Sequence, residues 1–168
     1  TSLLVNVFTC EHGKHAGLVR GGRTGKNRAI YQVGNLVSLH WQARLDEQLG
    51  MFIAEQKNAT LYPYFDDELR FAALTSMFEL LDNCLNEREL CLPIYQKTEE
   101  LVSQIAKPDF IQGYWEWEHF LLNELGFAPS NILPSSPDFP KLSGKLLSEQ
   151  ILNFKGKVLP ILRAKLIG

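Results

Sequence analysis

Apolar and polar positions alternate with a period near two over much of the first sixty residues, and this pattern predicts strands. In Leu3-Leu4-Val5-Asn6-Val7-Phe8-Thr9, residues Leu3, Val5 and Val7 share one face. Glu11-His12-Gly13-Lys14 reads as a turn, with Gly13 able to take positive φ, and His15 to Arg20 as the returning strand. Gly21-Gly22-Arg23-Thr24-Gly25-Lys26-Asn27 has three glycines and no large apolar anchor, so it reads as a loop. A third strand is expected near Ala29-Ile30-Tyr31. A fourth is expected at Leu36 to Trp41, after the Gly34-Asn35 turn, and a fifth from Leu49 to Glu55. Five short strands with glycine-rich turns suggest a small barrel or sandwich, and the OB-fold is the common five-stranded barrel of this size.

Beyond Tyr62-Pro63-Tyr64 the period lengthens to that of helices. Asp66-Asp67-Glu68 places acids at a helix start, where the dipole favours them. Leu69, Ala73, Met77, Leu80 and Cys84 form one stripe, and Phe71, Leu74, Phe78, Leu81 and Leu85 form another. Two apolar faces predict a central, buried helix. Pro93 opens a second helix lined by Tyr95, Thr98, Leu101, Val102 and Ile105, and Lys107-Pro108 ends it. Asp109 is expected to cap a third, carrying Phe110, Tyr114, Trp117, Leu121 and Leu125, with Gly126 at its left-handed stop. Residues 128–140 are a proline- and serine-rich connector. One or two short helices are then expected over Leu146, Leu147, Ile151, Leu152, Leu159, Leu162 and Leu166. Strands first and helices after make the fold class α+β. The expected domains are an OB-fold-like unit at 1–62 and a helical unit at 63–168.

Charge sharpens this division. Residues 1–60 hold Lys14, Arg20, Arg23, Lys26, Arg28, Arg44 and Lys57 against Glu11, Asp46, Glu47 and Glu55, a net of +3. The rest of the chain nets −5, giving −2 overall. A basic front suits a polyanion, and an acidic remainder suits protein contacts. The 168 residues include only three scattered cysteines (Cys10, Cys84, Cys91) and no apolar run long enough to span a membrane. The opening residues carry no signal-peptide pattern, so the expected setting is the reducing cytoplasm.

Candidate chemistry is sparse. Cys10, His12 and His15 cluster near a turn, with no second ligand group to complete a metal site, so a polar hairpin tip is the expectation and no metal or cofactor is expected. Cys84 and Cys91 are expected to be buried helix cysteines. The glycine-rich loop lacks phosphate-loop spacing because Asn27 follows Lys26. Nothing supports a catalytic role, and an enzyme is not expected. Lys14, Arg20, Arg23, Lys26 and Arg28 surround two loops of one small β unit. They read either as a phosphate-binding track or as a solvated face. Tyr31 and Trp41 read either as stacking surfaces for bases or as core aromatics.

Two separated motifs add a resemblance. Ser2-Leu3-Leu4-Val5-Asn6-Val7-Phe8-Thr9, Glu11-His12-Gly13-Lys14 and Gly17-Leu18-Val19-Arg20-Gly21-Gly22-Arg23 resemble the start of the bacterial RecO family. Trp117-Glu118-His119-Phe120-Leu121-Leu122-Asn123-Glu124-Leu125-Gly126-Phe127 resembles that family's later helix signature. The resemblance implies an OB-fold followed by helices, and a recombinational DNA repair role. That role would be to bind single- and double-stranded DNA, anneal complementary strands and help load RecA onto strands coated by single-strand-binding protein. It implies RecR and single-strand-binding protein as partners. It makes Arg20 and Arg23 the transferred DNA contacts, with Lys14, Lys26 and Arg28 added on charge.

The chain departs from the family in three places. It begins at what would be the family's second strand. Phe127 runs almost directly into Ile132-Leu133-Pro134, where members carry a longer segment, some with a zinc site. Residues are therefore expected to be missing near 128–140, and no zinc is expected. Trp115 and Glu116 stand where some members place basic residues, which weakens the case for an acidic-tail site there. The competing functional classes are a helical protein-interaction scaffold and an RNA- or oligosaccharide-binding OB protein.

Overall fold

The computed structural model describes residues 2–25, 27–45 and 48–126, and the backbone of 161–166. Strand β1 (Ser2–Thr9) turns into β2 (Gly13–Arg20), pairing antiparallel from Ser2–Arg20 to Thr9–Gly13. The period of two sorts the side chains of β1: Val5 and Val7 are buried in the barrel core, whereas Phe8 joins the core of the helices. Strands β3 (Leu36–Gln42) and β4 (Gly50–Asn58) form a second antiparallel pair. β4 lies parallel to β2 through Gly17–Gly50 and Leu18–Met51. These four strands are one mixed sheet. The backbone of β5 (Ile161–Leu166) runs parallel to both β1 and β3, closing the order β1-β2-β4-β3-β5 into a barrel. The expected OB-type barrel with a helical extension is the fold observed.

Two sequence expectations fail in detail. Ala29-Ile30-Tyr31 is not a strand: Asn27–Ile30 is a single helical turn, α1, and Tyr31 follows it. Side-chain bonding overrides β propensity here. The buried Asn35 amide donates to the carbonyls of Ala29 (2.9 Å) and Ile30 (3.0 Å), closing the helical turn. Tyr31 tucks beneath, its hydroxyl accepting from the Ala54 amide at 3.1 Å. The second correction is at 161–166, expected to be helical and found as the closing strand of the barrel. The connector at 128–140 and the other residues of the expected C-terminal helices lie outside the described residues.

The helices follow their apolar stripes closely. α2 (Glu68–Cys84) buries Ala72, Ala73, Leu74, Met77, Phe78 and Leu81. The Asp67 carboxylate caps it, accepting from the Arg70 amide at 3.0 Å. α3 (Leu92–Gln104) buries Ile94, Thr98 and Leu101, and α4 (Phe110–Glu124) buries Phe110, Tyr114, Trp117 and Leu121. Asp109 stands at the start of α4 but makes no side-chain cap, contrary to expectation. Gly126 takes φ +78°, as a left-handed stop requires. Three buried side chains of this core are paired through hydrogen bonds. Trp117 Nε1 donates to Thr98 Oγ1 at 3.0 Å, Thr98 Oγ1 donates to the Ile94 carbonyl at 2.8 Å, and Tyr114 bonds Ser76 at 2.9 Å. Cys84 is exposed and Cys91 half-buried, so neither is the fully buried cysteine expected.

Barrel and helices share a built interface. Phe8 meets Tyr95 edge-on at 5.3 Å between ring centres. Asn6 Nδ2 donates to Asp82 Oδ1 at 2.7 Å, and Lys14 Nζ donates to the Asp82 carbonyl at 2.6 Å. The second apolar cluster, Val5, Val7, Val19, Tyr31, Val37, Leu39, Phe52 and Ala54, fills the barrel.

Candidate nucleic-acid interface

The loop after β2 turns at Gly21, whose carbonyl accepts from the Thr24 amide (3.2 Å) and hydroxyl (3.2 Å). This folds Gly22 back over Leu3 and leaves Arg23 standing outward. The α1 turn then presents Arg28, whose carbonyl accepts from Gln32 Nε2 at 2.6 Å. Arg23 and Arg28 both line an open groove of about 440 Å³, with Leu3, Tyr31, Gln32 and Val33 in its walls. Both arginines are exposed, as is Arg20 at the end of β2. Among the described residues none of the three makes a salt bridge. Each of the three guanidinium groups offers several N–H donors, and among the described residues no carboxylate pairs with any of them.

The structure separates the other predicted residues from this cluster. Lys14 sits at the opposite end of β2; at about 3.3 Å per residue it is roughly 20 Å from Arg20. Its side chain is only 11% exposed, and its ammonium holds Asp82 of α2. Lys14 thus tethers barrel to helices and stands apart from the arginines. Lys26 lies outside the described residues. Tyr31 floors the groove but is buried, with its hydroxyl used by β4, so its ring is not a free stacking surface. Burial raises the Tyr31 phenol above its ordinary pKa, partly offset by the Ala54 amide. Trp41 is half-buried at another end of the barrel, edge-on to His15 at 5.9 Å and packed over Gly50.

That end holds a smaller cavity of about 140 Å³, lined by Val7, His12, His15, Leu39, Trp41 and Phe52. Burial, then the charges of Arg88 and His12, hold the His15 imidazole below its ordinary pKa. A neutral imidazole beside an apolar wall adds no charge for a phosphate. Among the described residues no three His, Cys, Asp or Glu side chains converge as a metal site would require, and no helix is long and apolar enough to cross a membrane.

A second depression of about 450 Å³ adjoins the arginine groove, and the two share Gln32 and Val33. Its lining includes Tyr62, Phe65 and Phe71. Tyr62 is 82% exposed and Phe65 74% exposed. Sequence reasoning passed over Tyr62 and Phe65 because they lie between the strands and the helices, in a proline-interrupted stretch without period. Their signal was compositional: three aromatic residues within Tyr62-Pro63-Tyr64-Phe65 and no repeat to bury them.

A closed barrel with a basic loop groove, joined to a helical bundle, defines an OB-fold protein with a helical extension. Its first 56 residues match the family model for the N-terminal domain of recombination protein O. The chain is 36% identical over 129 residues to the DNA repair protein RecO of Roseobacter denitrificans, covering 76% of this chain and 54% of that protein. It is 40% identical over 128 residues to RecO of Rhodospirillum centenum (76% and 51%), and 38% identical over 129 residues to RecO of Hyphomonas neptunium (75% and 53%). Over about three quarters of its length the chain is similar to the RecO family of DNA repair proteins. It spans about half the length of the curated relatives it matches. No solved structure matches it.

Proposed function

We propose that this protein binds DNA strands through the groove of Arg23 and Arg28, with Arg20 beside the loop, and promotes their annealing during recombinational repair. The observation that carries this reading is the pair of arginines lining one open groove with no carboxylate partner among the described residues. Annealing needs no covalent step. Cationic groups that hold two strands screen their repulsion and raise their local concentration, and base pairing drives the rest. Contacts to phosphates carry no sequence information, so many sequences are accepted. In this reading Lys26, on the same loop, adds to the track. The helices offer surfaces to RecR and to single-strand-binding protein, and RecA loading follows indirectly. The setting is the bacterial cytoplasm, at the nucleoid, and no enzymatic activity is involved.

The test is annealing of two complementary, fluorophore-labelled strands, comparing the wild type with an Arg20→Ala/Arg23→Ala/Arg28→Ala variant. The wild type should accelerate annealing, and the folded variant should lose most of that acceleration. Equal acceleration by both would overturn the placement of the site.

A further inference from the structure

The arginine groove shares Gln32 and Val33 with a depression walled by exposed rings, and its function as proposed above leaves those rings unused. Tyr62 and Phe65 belong to a 3-10 turn (Tyr62–Tyr64) and the residue after it. The turn is rigid for local reasons. Pro63 fixes its own φ. The Tyr64 amide donates to the Leu61 carbonyl at 3.0 Å, and the Asp67 amide to the Tyr64 carbonyl at 3.0 Å. Phe65 is further set by edge contact with Phe71 of α2, 5.9 Å between ring centres at 76°. The backbone under both rings is therefore fixed and the Phe65 ring is set against Phe71, yet both rings are left to solvent. Holding a ring still without burying it carries an entropic cost and gains little for folding.

We infer that Tyr62 and Phe65 form a stacking platform for the bases of a single strand whose phosphates lie at Arg23 and Arg28. The inference rests on the reading of the arginine groove as a phosphate site. Three observations support this occupant. The two depressions share Gln32 and Val33 in their walls, so the rings and the arginines lie on neighbouring surfaces within reach of one strand. The chemistry is divided as a single strand divides it: cationic on the α1 side, aromatic and apolar on the other. The exposed Asp66 and Glu68 follow the rings in the chain, which disfavours phosphate there and orients the backbone toward the arginines. A paired duplex hides its base faces and gains nothing from the platform, so the platform selects single strands.

The experiment is fluorescence anisotropy with three labelled probes: a mixed-sequence single strand, an abasic strand of equal length, and a duplex. The proteins are the wild type, a Tyr62→Ala/Phe65→Ala variant, and a conservative Tyr62→Phe/Phe65→Tyr variant. Both rings are exposed, so folding should survive, and thermal unfolding of each variant checks this. The alanine variant should lose about tenfold or more in affinity for the base-bearing strand. Its affinity for the abasic strand and the duplex should stay at the wild-type value, its salt dependence should be unchanged, and the conservative variant should retain binding. If the alanine variant binds the base-bearing strand as the wild type does, the platform is refuted while the arginine groove stands; a patch reserved for a protein partner would give this result. If the wild type binds none of the probes, the reading of the groove fails, and the platform with it.

Discussion

Replacing Lys14 by Met should lower folding stability and leave strand affinity intact. The Lys14 ammonium donates to the Asp82 carbonyl at 2.6 Å and stands 3.9 Å from the Asp82 carboxylate, with the side chains 11% and 16% exposed. A hydrogen bond from a charged donor contributes about 1.5–3 kcal/mol net. The ion pair adds little beyond that at this distance and exposure. Methionine keeps the apolar stem buried, and Asn6 still donates to Asp82 at 2.7 Å, so about 2 kcal/mol should be lost. For a chain of this length that is a fall in melting temperature of roughly 4–8 °C. Each phosphate contact on a single strand contributes about 0.7 to the slope of log affinity against log salt. Lys14→Met should therefore leave that slope unchanged, whereas Arg23→Ala should flatten it by about 0.7. Thermal unfolding and anisotropy at four or so salt concentrations, on the same preparations, measure both. A Lys14→Met protein with unaltered melting temperature and a slope flattened by about 0.7 would refute the tether and restore Lys14 to the binding surface.

Three further substitutions test how the fold is held. Gly34 has φ +73°, and a Cβ there would collide with the Phe78 ring where barrel meets α2; Gly34→Ala should cost about 3 kcal/mol or more in urea unfolding, and a cost under about 1 kcal/mol would contradict the close packing. Thr98→Val should cost about 1–3 kcal/mol by leaving the buried Trp117 N–H without its acceptor, while Thr98→Ser should restore most of it. Burial raises the Glu118 carboxyl above its ordinary 4.5. The folded state then favours the protonated form, so the stability this group contributes is complete below the unfolded value and is lost as pH rises through the raised one. Glu118→Gln should accordingly match the wild type near about pH 4 and exceed it near about pH 8 in urea midpoint, and a constant difference would argue against the burial effect.

Most of the fold was legible because its signals are local. Val5 and Val7 on β1, and Tyr114, Trp117 and Leu121 on α4, occupy the faces that their periods assign. Errors arose where two periods or two forces compete. Ile161 to Leu166 alternates Leu162, Ala164 and Leu166 with Arg163 and Lys165, yet Leu159, Leu162 and Leu166 also fit a helical spacing. Only pairing with β1 and β3, over a hundred residues away in sequence, decides for a strand. At Ala29-Ile30-Tyr31 the β-prone residues yield to the Asn35 side chain, a partner that no periodicity reveals. The same limit applies to the site. Composition grouped Lys14 with the arginines because they are near in sequence, but β2 places Lys14 and Arg20 at its opposite ends. Tyr31 looked like a stacking ring and is buried, whereas Tyr62 and Phe65 are exposed in a stretch with no pattern to read.

The most direct measurement of the central claim is the affinity of the folded wild-type protein for a labelled, mixed-sequence single strand between about 50 and 200 mM salt. Three arginine contacts predict binding that weakens with a log–log slope of about −2 or steeper, and substitution of Arg20, Arg23 and Arg28 by alanine should remove about 2 from it. Absence of binding at the lowest salt, or a slope that the three substitutions leave unchanged, would contradict the account.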